Sequence, residues 1–230
     1  AMGVQGRLDR ANAMVRVEGK GIGELQKPKN ELDLGNSGTA FRLLTGLCSG
    51  LPFITKLTGD ASLCNRPMDR IIDPLTQMGN IFKSNKGKAP LTVNVEGRRT
   101  KLKSIDYQSP IASAQVKSAI LLAALNASGL TTVREPIVSR NHTENMLAYF
   151  GADIRHKEDN AVTINGLSSA LNIQGQSFTI PNDISSAAFI MVAAAIVEDA
   201  QLNIPDVGVN PTRDGILKIF DTMMIDHDIF

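Results

Sequence analysis

The chain has 230 residues, 43% of them hydrophobic, and a formal net charge of +1 at pH 7. That length allows one large or two modest domains with ample core, and the near-neutral charge predicts no general attraction to nucleic acid or to an anionic membrane. The longest apolar run, residues 187–197, is too short to span a bilayer. Because Cys48 and Cys64 are the only cysteines, we expect no disulfide framework and a reducing, cytoplasmic location.

The first predicted elements, in chain order, form a strand–helix–strand–helix unit followed by two strands. Apolar periodicity and Gly/Pro punctuation set their bounds. They are a strand at 32–34, a helix at 39–47, a strand at 53–58, a helix at 68–78, and strands at 91–95 and 101–105 that pair through a turn at Gly97.

The same order returns in the second half of the chain. We predict a helix at 114–125, a strand at 131–134, a helix at 143–150, and strands at 161–164 and 171–173. Strands that alternate with helices at this spacing indicate an α/β architecture with parallel pairing, in which each helix covers a sheet face.

These units form a repeat of about 74 residues. Arg66, Arg140 and Arg213 are 74 and 73 residues apart, which indicates one βαβαββ unit used several times. The third copy begins after a turn at 180–183 that lacks the glycines of the first, so we expect domains at 1–180 and 181–230. The opening residues 1–4 resemble the end of a unit without its body, and the chain is therefore expected to be an internal piece of a longer protein.

The turn at 35–39 (Gly-Asn-Ser-Gly-Thr) lies between a strand and a helix. Its glycines allow a ligand to approach the backbone, and the helix start favours an anion. The alternative is a simple cap, in which Ser37 or Thr39 closes the helix and nothing binds. The second unit carries Ser113-Ala114-Gln115 at the corresponding helix start.

Arg66 and Arg140 precede helices in equivalent positions, where positive charge is already present. Ion pairs of Arg66 with Asp69 and of Arg140 with Glu144 would explain them. Repeated in register beside two polar helix starts, however, the arginines favour convergence on a multiply anionic small molecule.

Other candidate features favour ordinary structure. The basic stretch 83–103 lacks aromatic residues and is predicted to be a solvated hairpin rather than a single-strand binding surface. His142 is expected to be an exposed first-turn residue, and Cys64 an idle thiol. No cluster of His, Cys and carboxylate residues has the spacing of a metal site.

Four segments closely resemble the 5-enolpyruvylshikimate-3-phosphate synthase family. They are residues 34–44 (Leu-Gly-Asn-Ser-Gly-Thr-Ala-Phe-Arg-Leu-Leu), residues 59–68 with Arg66-Pro67-Met68, residues 113–119 (Ser-Ala-Gln-Val-Lys-Ser-Ala) and residues 139–144 (Ser-Arg-Asn-His-Thr-Glu). The resemblance implies transfer of the enolpyruvyl group of phosphoenolpyruvate to the 5-hydroxyl of shikimate 3-phosphate, with release of phosphate. It also implies an inside-out α/β barrel of βαβαββ units with pseudo-threefold symmetry, which is incomplete here.

The resemblance also implies roles for individual residues. Phosphoenolpyruvate would contact Gly38, Thr39 and Arg66. Shikimate 3-phosphate would contact Ser113, Ala114 and Gln115, with Gln115 also near phosphoenolpyruvate, and Arg140 would hold the 3-phosphate. Asn36 and Ser139 would support the two helix starts. These anionic substrates are the implied partners, and no cofactor, metal, nucleic acid or membrane is expected.

Departures from the family pattern limit what this chain is expected to do alone. The family's Lys-Ser-x-x-x-Arg motif has no counterpart, and the proton-transfer residues are expected outside the chain. An inactive fragment, or a binding module for phosphorylated ligands, is therefore an alternative. A sister enzyme that uses UDP-N-acetylglucosamine is disfavoured, because its reactive cysteine lies in a Gly-Gly-Cys-Ala loop, whereas Cys64 lies in Ser-Leu-Cys-Asn-Arg.

Overall fold

A computed structural model describes residues 1–97, 102–166 and 173–229. The chain divides into two compact units. The first comprises Ala1–Val138 and His142–Gly175, and the second comprises Ser139–Asn141 together with the chain from Gln176 onwards. The predicted domain boundary between residues 180 and 181 stays a prediction.

The described elements follow the predicted alternation of strands and helices. The strands are β1 Gln5–Asp9, β2 Met14–Glu18, β3 Leu32–Asp33, β4 Thr55–Thr58, β5 Phe82–Asn85, β6 Lys88–Val93, β7 Leu102–Lys103, β8 Asp106–Gln108, β9 Ala127–Ser128, β10 Leu130–Arg134, β11 Ile154–Lys157 and β12 Ala161–Asn165. The helices are α1 Gly38–Ser49, α2 Ala61–Cys64, α3 Asp69–Gln77, α4 Ala114–Ala124, α5 His142–Tyr149, α6 Ile184–Ile196 and α7 Gly215–Thr222, with a 3-10 turn at Ile22–Glu24.

Two four-stranded sheets of the first unit have the same topology. One has the order β3-β4-β6-β5 and the other the order β8-β10-β12-β11. In each, the first two strands are parallel and joined by a helix, and the last two form an antiparallel hairpin. The repeated βαβαββ unit inferred from the sequence is therefore confirmed in two copies.

The last helix of each copy, α3 in the first and α5 in the second, ends in the same way. Gly79 and Gly151 have φ angles of 101° and 97°. The amide after each glycine donates to a carbonyl five residues earlier, and the glycine's own amide to one three residues earlier. This is a Schellman ending, whose left-handed residue is most easily a glycine. It explains why the closing glycines recur at the repeat spacing.

The predicted pairing of 91–95 with 101–105 is wrong. Val93 pairs with both Thr55 and Phe82, so the hairpin partner of β6 is β5. The chain reverses at Lys86 and Gly87, whose φ angles of 52° and 73° correspond to a two-residue hairpin turn. β7 instead pairs in parallel with β9. Lys101 lies outside the described residues.

In the second copy, β12 pairs with β11, the strand that precedes it. Residues 171 and 172 of the strand predicted at 171–173 lie outside the described residues.

Helices α1 and α4 pack closely within the core of the first unit. A Cβ atom added to Gly46 would lie only 2.1 Å from the carbonyl oxygen of Ala119, so this approach requires glycine in the middle of α1. Phe41 on α1 and Ile120 on α4 belong to the same fully buried apolar cluster, where each such side chain stabilises the fold by roughly 1.5–3 kcal/mol. This packing fixes the starts of the two helices relative to each other.

The second unit contains the start of a third copy. Asn182 forms a parallel bridge with Val207, in the place of the paired strands β3 and β4. Asp183 caps α6, and the segment after the bridge leads through Arg213 to α7. Among the described residues, no helix is both long enough and apolar enough to cross a membrane.

Candidate functional site

The start of α1 is built by the turn predicted from the sequence. Ser37 is the N-cap, and its hydroxyl accepts a hydrogen bond from the amide of Ala40 at 3.2 Å. Gly35 has a φ of 54°, which suits glycine, and its carbonyl accepts the amide of Asp60 at 2.9 Å. The prediction that Ser37 caps this helix is therefore confirmed. The positive end of the helix dipole still favours an anion.

Arg66 lies over this helix start. Its Nη2 donates to Oδ1 of Asn36 at 2.5 Å, and Nδ2 of Asn36 donates to Oδ2 of Asp60 at 2.7 Å. The pKa of Asp60 lies below its usual value because the amide of Leu63 and the side chain of Asn36 donate to its carboxylate, and Arg66 adds to the effect. Arg66 is thus held by a neutral amide, and the supporting role of Asn36 at the helix start stays a prediction. No ion pair between Arg66 and Asp69 occurs in the described part of the chain.

A second guanidinium group, that of Arg42, reaches the same place. Its Nη1 donates to Oε1 of Gln115 at 2.6 Å, and Nε2 of Gln115 donates to Oγ1 of Thr39 at 2.8 Å. Burial lowers the pKa of Arg42, and the positive charges of Arg66 and Arg70 lower it further. The protein therefore holds like charges near one another.

Both arginines converge on Gly38. A Cβ atom added at this glycine would lie 2.9 Å from Nη1 of Arg66 and 3.0 Å from Nη1 of Arg42. The absence of a side chain at the first residue of α1 is what allows the two guanidinium groups to approach. Together with the dipole of α1, they form a compact positive site suited to a carboxylate or a phosphate.

The sequence interpretation missed Arg42 as a site residue. The available signal was its position four residues after Gly38 and three after Thr39, on the same face of a helix. Its contact with Gln115, however, spans 73 residues along the chain and depends on the packing of α1 against α4.

The start of α4 supplies Ser113, Ala114 and Gln115. Ser113 is the N-cap, and its backbone amide donates to Oε1 of Glu135 at 2.8 Å. All three predicted residues are half-buried. The structure thus brings Gly38, Thr39, Arg66 and Gln115 together, with Ser113 and Ala114 immediately before Gln115.

Arg140 and Ser139 belong to the second unit, and the predicted convergence of Arg140 with Arg66 stays a prediction. Arg140 is exposed. Glu144, its alternative ion-pair partner in the sequence analysis, lies in the first unit with one carboxylate oxygen 2.7 Å from Nζ of Lys117. The neighbouring His142 is exposed in the first turn of α5, as predicted.

Both cysteines are free thiols. Burial raises the pKa of Cys48 to about 11, which keeps that thiol protonated at neutral pH. Cys64 is half-buried, and its Sγ donates to the carbonyl of Gly59 at 3.3 Å. That Cys64 is an idle thiol rather than a nucleophile stays a prediction.

Comparison with known proteins now gives the family. The family model of EPSP synthase (3-phosphoshikimate 1-carboxyvinyltransferase) matches residues 1–228. The chain belongs to the EPSP synthase family. It is 50% identical over 225 residues to the 3-phosphoshikimate 1-carboxyvinyltransferase of Geotalea uraniireducens, with 97% of this chain and 50% of that protein covered. For the protein of the same name from Magnetococcus marinus, the identity is 49%, covering 94% of this chain and 47% of the relative.

Solved structures of the family agree with the fold. EPSP synthase from Acinetobacter baumannii matches with a TM-score of 0.88 and 43% sequence identity, covering 97% of this chain and 49% of that one. The resemblance and the α/β fold class inferred from the sequence are therefore confirmed. The chain spans about half the length of the curated relatives it matches.

Proposed function

We propose that this chain carries the phosphoenolpyruvate-binding helix start of a 3-phosphoshikimate 1-carboxyvinyltransferase. In the reaction of that enzyme, the enolpyruvyl transfer, the 5-hydroxyl oxygen of shikimate 3-phosphate bonds to C2 of phosphoenolpyruvate. The bond from C2 to the phosphate oxygen breaks, and the hydroxyl proton leaves as phosphate is released. The product keeps the enol double bond, so no oxidant or reductant is needed.

One observation carries the proposal: the guanidinium groups of Arg42 and Arg66 converge beside Gly38 at the positive end of α1. Two like charges held together are unfavourable unless an anion balances them. Phosphoenolpyruvate offers a carboxylate and a phosphate, and either group suits the planar fork of a guanidinium.

We assign Gly38, Thr39, Arg42 and Arg66 to phosphoenolpyruvate. Gln115 accepts from Arg42 and donates to Thr39, and it directly follows Ser113 and Ala114, so we assign it to both substrates. Ser113 and Ala114 are assigned to shikimate 3-phosphate, and we propose that Arg140 holds its 3-phosphate. The free thiols of Cys48 and Cys64 suit a reducing cytoplasm, where we place this activity.

The isolated chain is expected to bind shikimate 3-phosphate weakly and not to turn over. The family motif Lys-Ser-x-x-x-Arg has no counterpart in these 230 residues. Each lost charge-assisted hydrogen bond is worth roughly 1.5–3 kcal/mol, so two or three losses cost several powers of ten in affinity. Proton transfer also needs a positioned acid and base, which we expect in the part of the relatives that this chain does not span.

Calorimetric titration and a steady-state assay test the proposal together. Shikimate 3-phosphate and phosphoenolpyruvate are titrated into the chain, and phosphate release is measured beside the intact relative from Geotalea uraniireducens. Weak binding without turnover supports the proposal. A rate within tenfold of the relative contradicts the expected inactivity, whereas no binding of either substrate contradicts the assignment of the site.

A further inference from the structure

Three buried charged side chains lie directly behind the start of α4. Nζ of Lys117 is 2.8 Å from Oε2 of Glu135 and 2.7 Å from Oε1 of Glu144. Their side chains are 5%, 2% and 1% exposed, respectively. Buried charges are rare unless they are paired, and a hydrogen bond in such a low-dielectric place is electrostatically stronger than in water.

The two carboxylates have different second contacts. Oε1 of Glu135 accepts the backbone amide of Ser113 at 2.8 Å, while its Oε2 faces Lys117. Oε2 of Glu144 is buried and has no hydrogen-bond partner among the described residues. Among the contacts of the described residues, Glu135 rather than Glu144 therefore connects the side chain of Lys117 to the N-cap of α4.

We propose that Glu135, held by Lys117, is a positioning residue for the substrate-binding start of α4. Helix termini fray unless they are tied down. The bond that the Ser113 amide donates to Glu135 fixes the first residue of this helix start. Two residues later, Gln115 accepts from Arg42 and donates to Thr39. Lys117 also offsets part of the charge of the two carboxylates, which reduces their repulsion of an anionic substrate.

The inference rests on the proposed function for the ligand, but its first test requires none. A glutamine at position 135 has the shape of glutamate but only one oxygen. Because Ser113 and Lys117 donate to different oxygens of Glu135, its NH₂ group must face one of these donors. The bond to the ammonium group of Lys117 is charge-assisted on both sides, so the single oxygen is expected to stay with Lys117. Glu135→Gln should therefore lose the bond to Ser113 without leaving a cavity.

The matched control is Glu144→Gln. Its single oxygen can still face Lys117, and its NH₂ group replaces the oxygen that lacks a partner. Both variants remove one buried carboxylate beside the same lysine, but only the change at position 135 removes an acceptor of the Ser113 amide.

Amide hydrogen exchange followed by NMR is the ligand-free readout. We expect the Ser113 amide to exchange at least about tenfold faster in Glu135→Gln, because hydrogen bonds to charged groups are the strong ones, and within about threefold of wild type in Glu144→Gln. Affinity for phosphoenolpyruvate should fall about tenfold in the first variant only. Equal effects of the two variants overturn the proposal.

A pair of charge-free triple variants keeps the test decisive if Glu135→Gln does not fold. The first triple variant combines Lys117→Met, Glu135→Gln and Glu144→Gln. It removes the buried charge, and the oxygen of the glutamine at position 135 is then free to accept the Ser113 amide. Such replacements of buried ion pairs are often tolerated. We expect this triple variant to recover Ser113 protection and affinity to within about threefold of wild type, whereas the same triple with Glu135→Leu should recover neither.

These outcomes separate the two proposals. If wild type binds neither substrate, the proposed function fails while the exchange comparison still stands. If binding is present but Ser113 exchange does not change in Glu135→Gln, or if the two triple variants behave alike, the positioning role of Glu135 fails alone.

Discussion

Arg66 and Arg213 hold the same position in the first and third copies of the repeat, and each reaches back to the start of the first helix of its copy, α1 or α6. Arg66 meets the neutral amide of Asn36, whereas Arg213 meets the carboxylate of Asp183 at 3.4 Å and the hydroxyl of Ser185. The pKa of Asp183 is lowered by the amide of Ser185 and also by Arg213, which keeps the carboxylate ionised. The third copy thus places a carboxylate directly on its arginine, whereas in the first copy the neutral side chain of Asn36 stands between Arg66 and the carboxylate of Asp60.

On the proposed function, one supersecondary unit yields both a structural and a binding version of the same corner. In the third copy the charge of Arg213 is balanced from within. The first copy adds a second arginine, Arg42, and removes the side chain at Gly38, where the aligned residue of the third copy is Ser185. The repeat provides the geometry, and the residues at the helix start decide whether an external anion is needed.

Replacing each arginine is the strongest way to break this comparison. Arg66→Gln should weaken phosphoenolpyruvate binding by about 10–100-fold, because one or two charge-assisted bonds are lost. Arg213→Gln should change it less than about twofold, since its charge is already satisfied by Asp183. Calorimetric titration measures both. Equal losses in the two variants contradict the assignment of the site to the first copy.

Exchanging the acidic residue sharpens the comparison. Asn36→Asp gives Arg66 an internal carboxylate, and phosphoenolpyruvate affinity should fall about tenfold. The reverse change, Asp183→Asn, keeps a good N-cap for α6 and leaves Arg213 without its carboxylate.

We expect this reverse variant to gain weak, salt-sensitive binding of inorganic phosphate, measured by NMR titration at low and high ionic strength. Unchanged behaviour of both variants would show that the charge of residues 36 and 183 does not control anion binding.

A smaller effect is expected from Gly38→Ala. The added methyl group meets the guanidinium ends of Arg42 and Arg66, which are flexible and move by a few tenths of an ångström. We expect the affinity for phosphoenolpyruvate to fall about threefold to tenfold, because the bonds from the two guanidinium groups are weakened rather than lost. Thermal stability should change little. Gly215→Ala is the matched control, because it also changes the first residue of a helix but meets nothing within 4 Å. Loss of stability without loss of affinity would contradict this account.

The sequence predicted the helix starts and the repeat because both depend on local chemistry. Ser37, Ser113 and Asp183 cap helices through their own side chains, and the glycines that follow α3 and α5 end them in a left-handed conformation. Such signals lie within a few residues of the feature they predict.

Contacts between distant segments were harder to infer. The pairing of β6 was misassigned because Gly97 was preferred to the Lys86-Gly87 turn. Lys117 and Glu135 look like solvated charges in sequence, and only the packed fold shows that they are buried against each other. The role of Arg42 likewise depends on the close approach of α1 and α4 at Gly46.

The smallest expected effect concerns the end of α7, which corresponds to α3 and α5 of the first two copies. Met224 has a φ of 55°, and the amides of Met224 and Ile225 donate to the carbonyls of Asp221 and Phe220, as in the endings at Gly79 and Gly151. A methionine in this left-handed position costs roughly 1 kcal/mol relative to glycine, offset in part by the greater freedom of glycine in the unfolded chain. Met224→Gly should therefore slow amide exchange in α7 by about threefold, as measured by NMR, with Met223→Gly as the control. If Met224→Gly speeds exchange in α7, the left-handed residue is not a source of strain, and the third copy ends as stably with methionine as the others do with glycine.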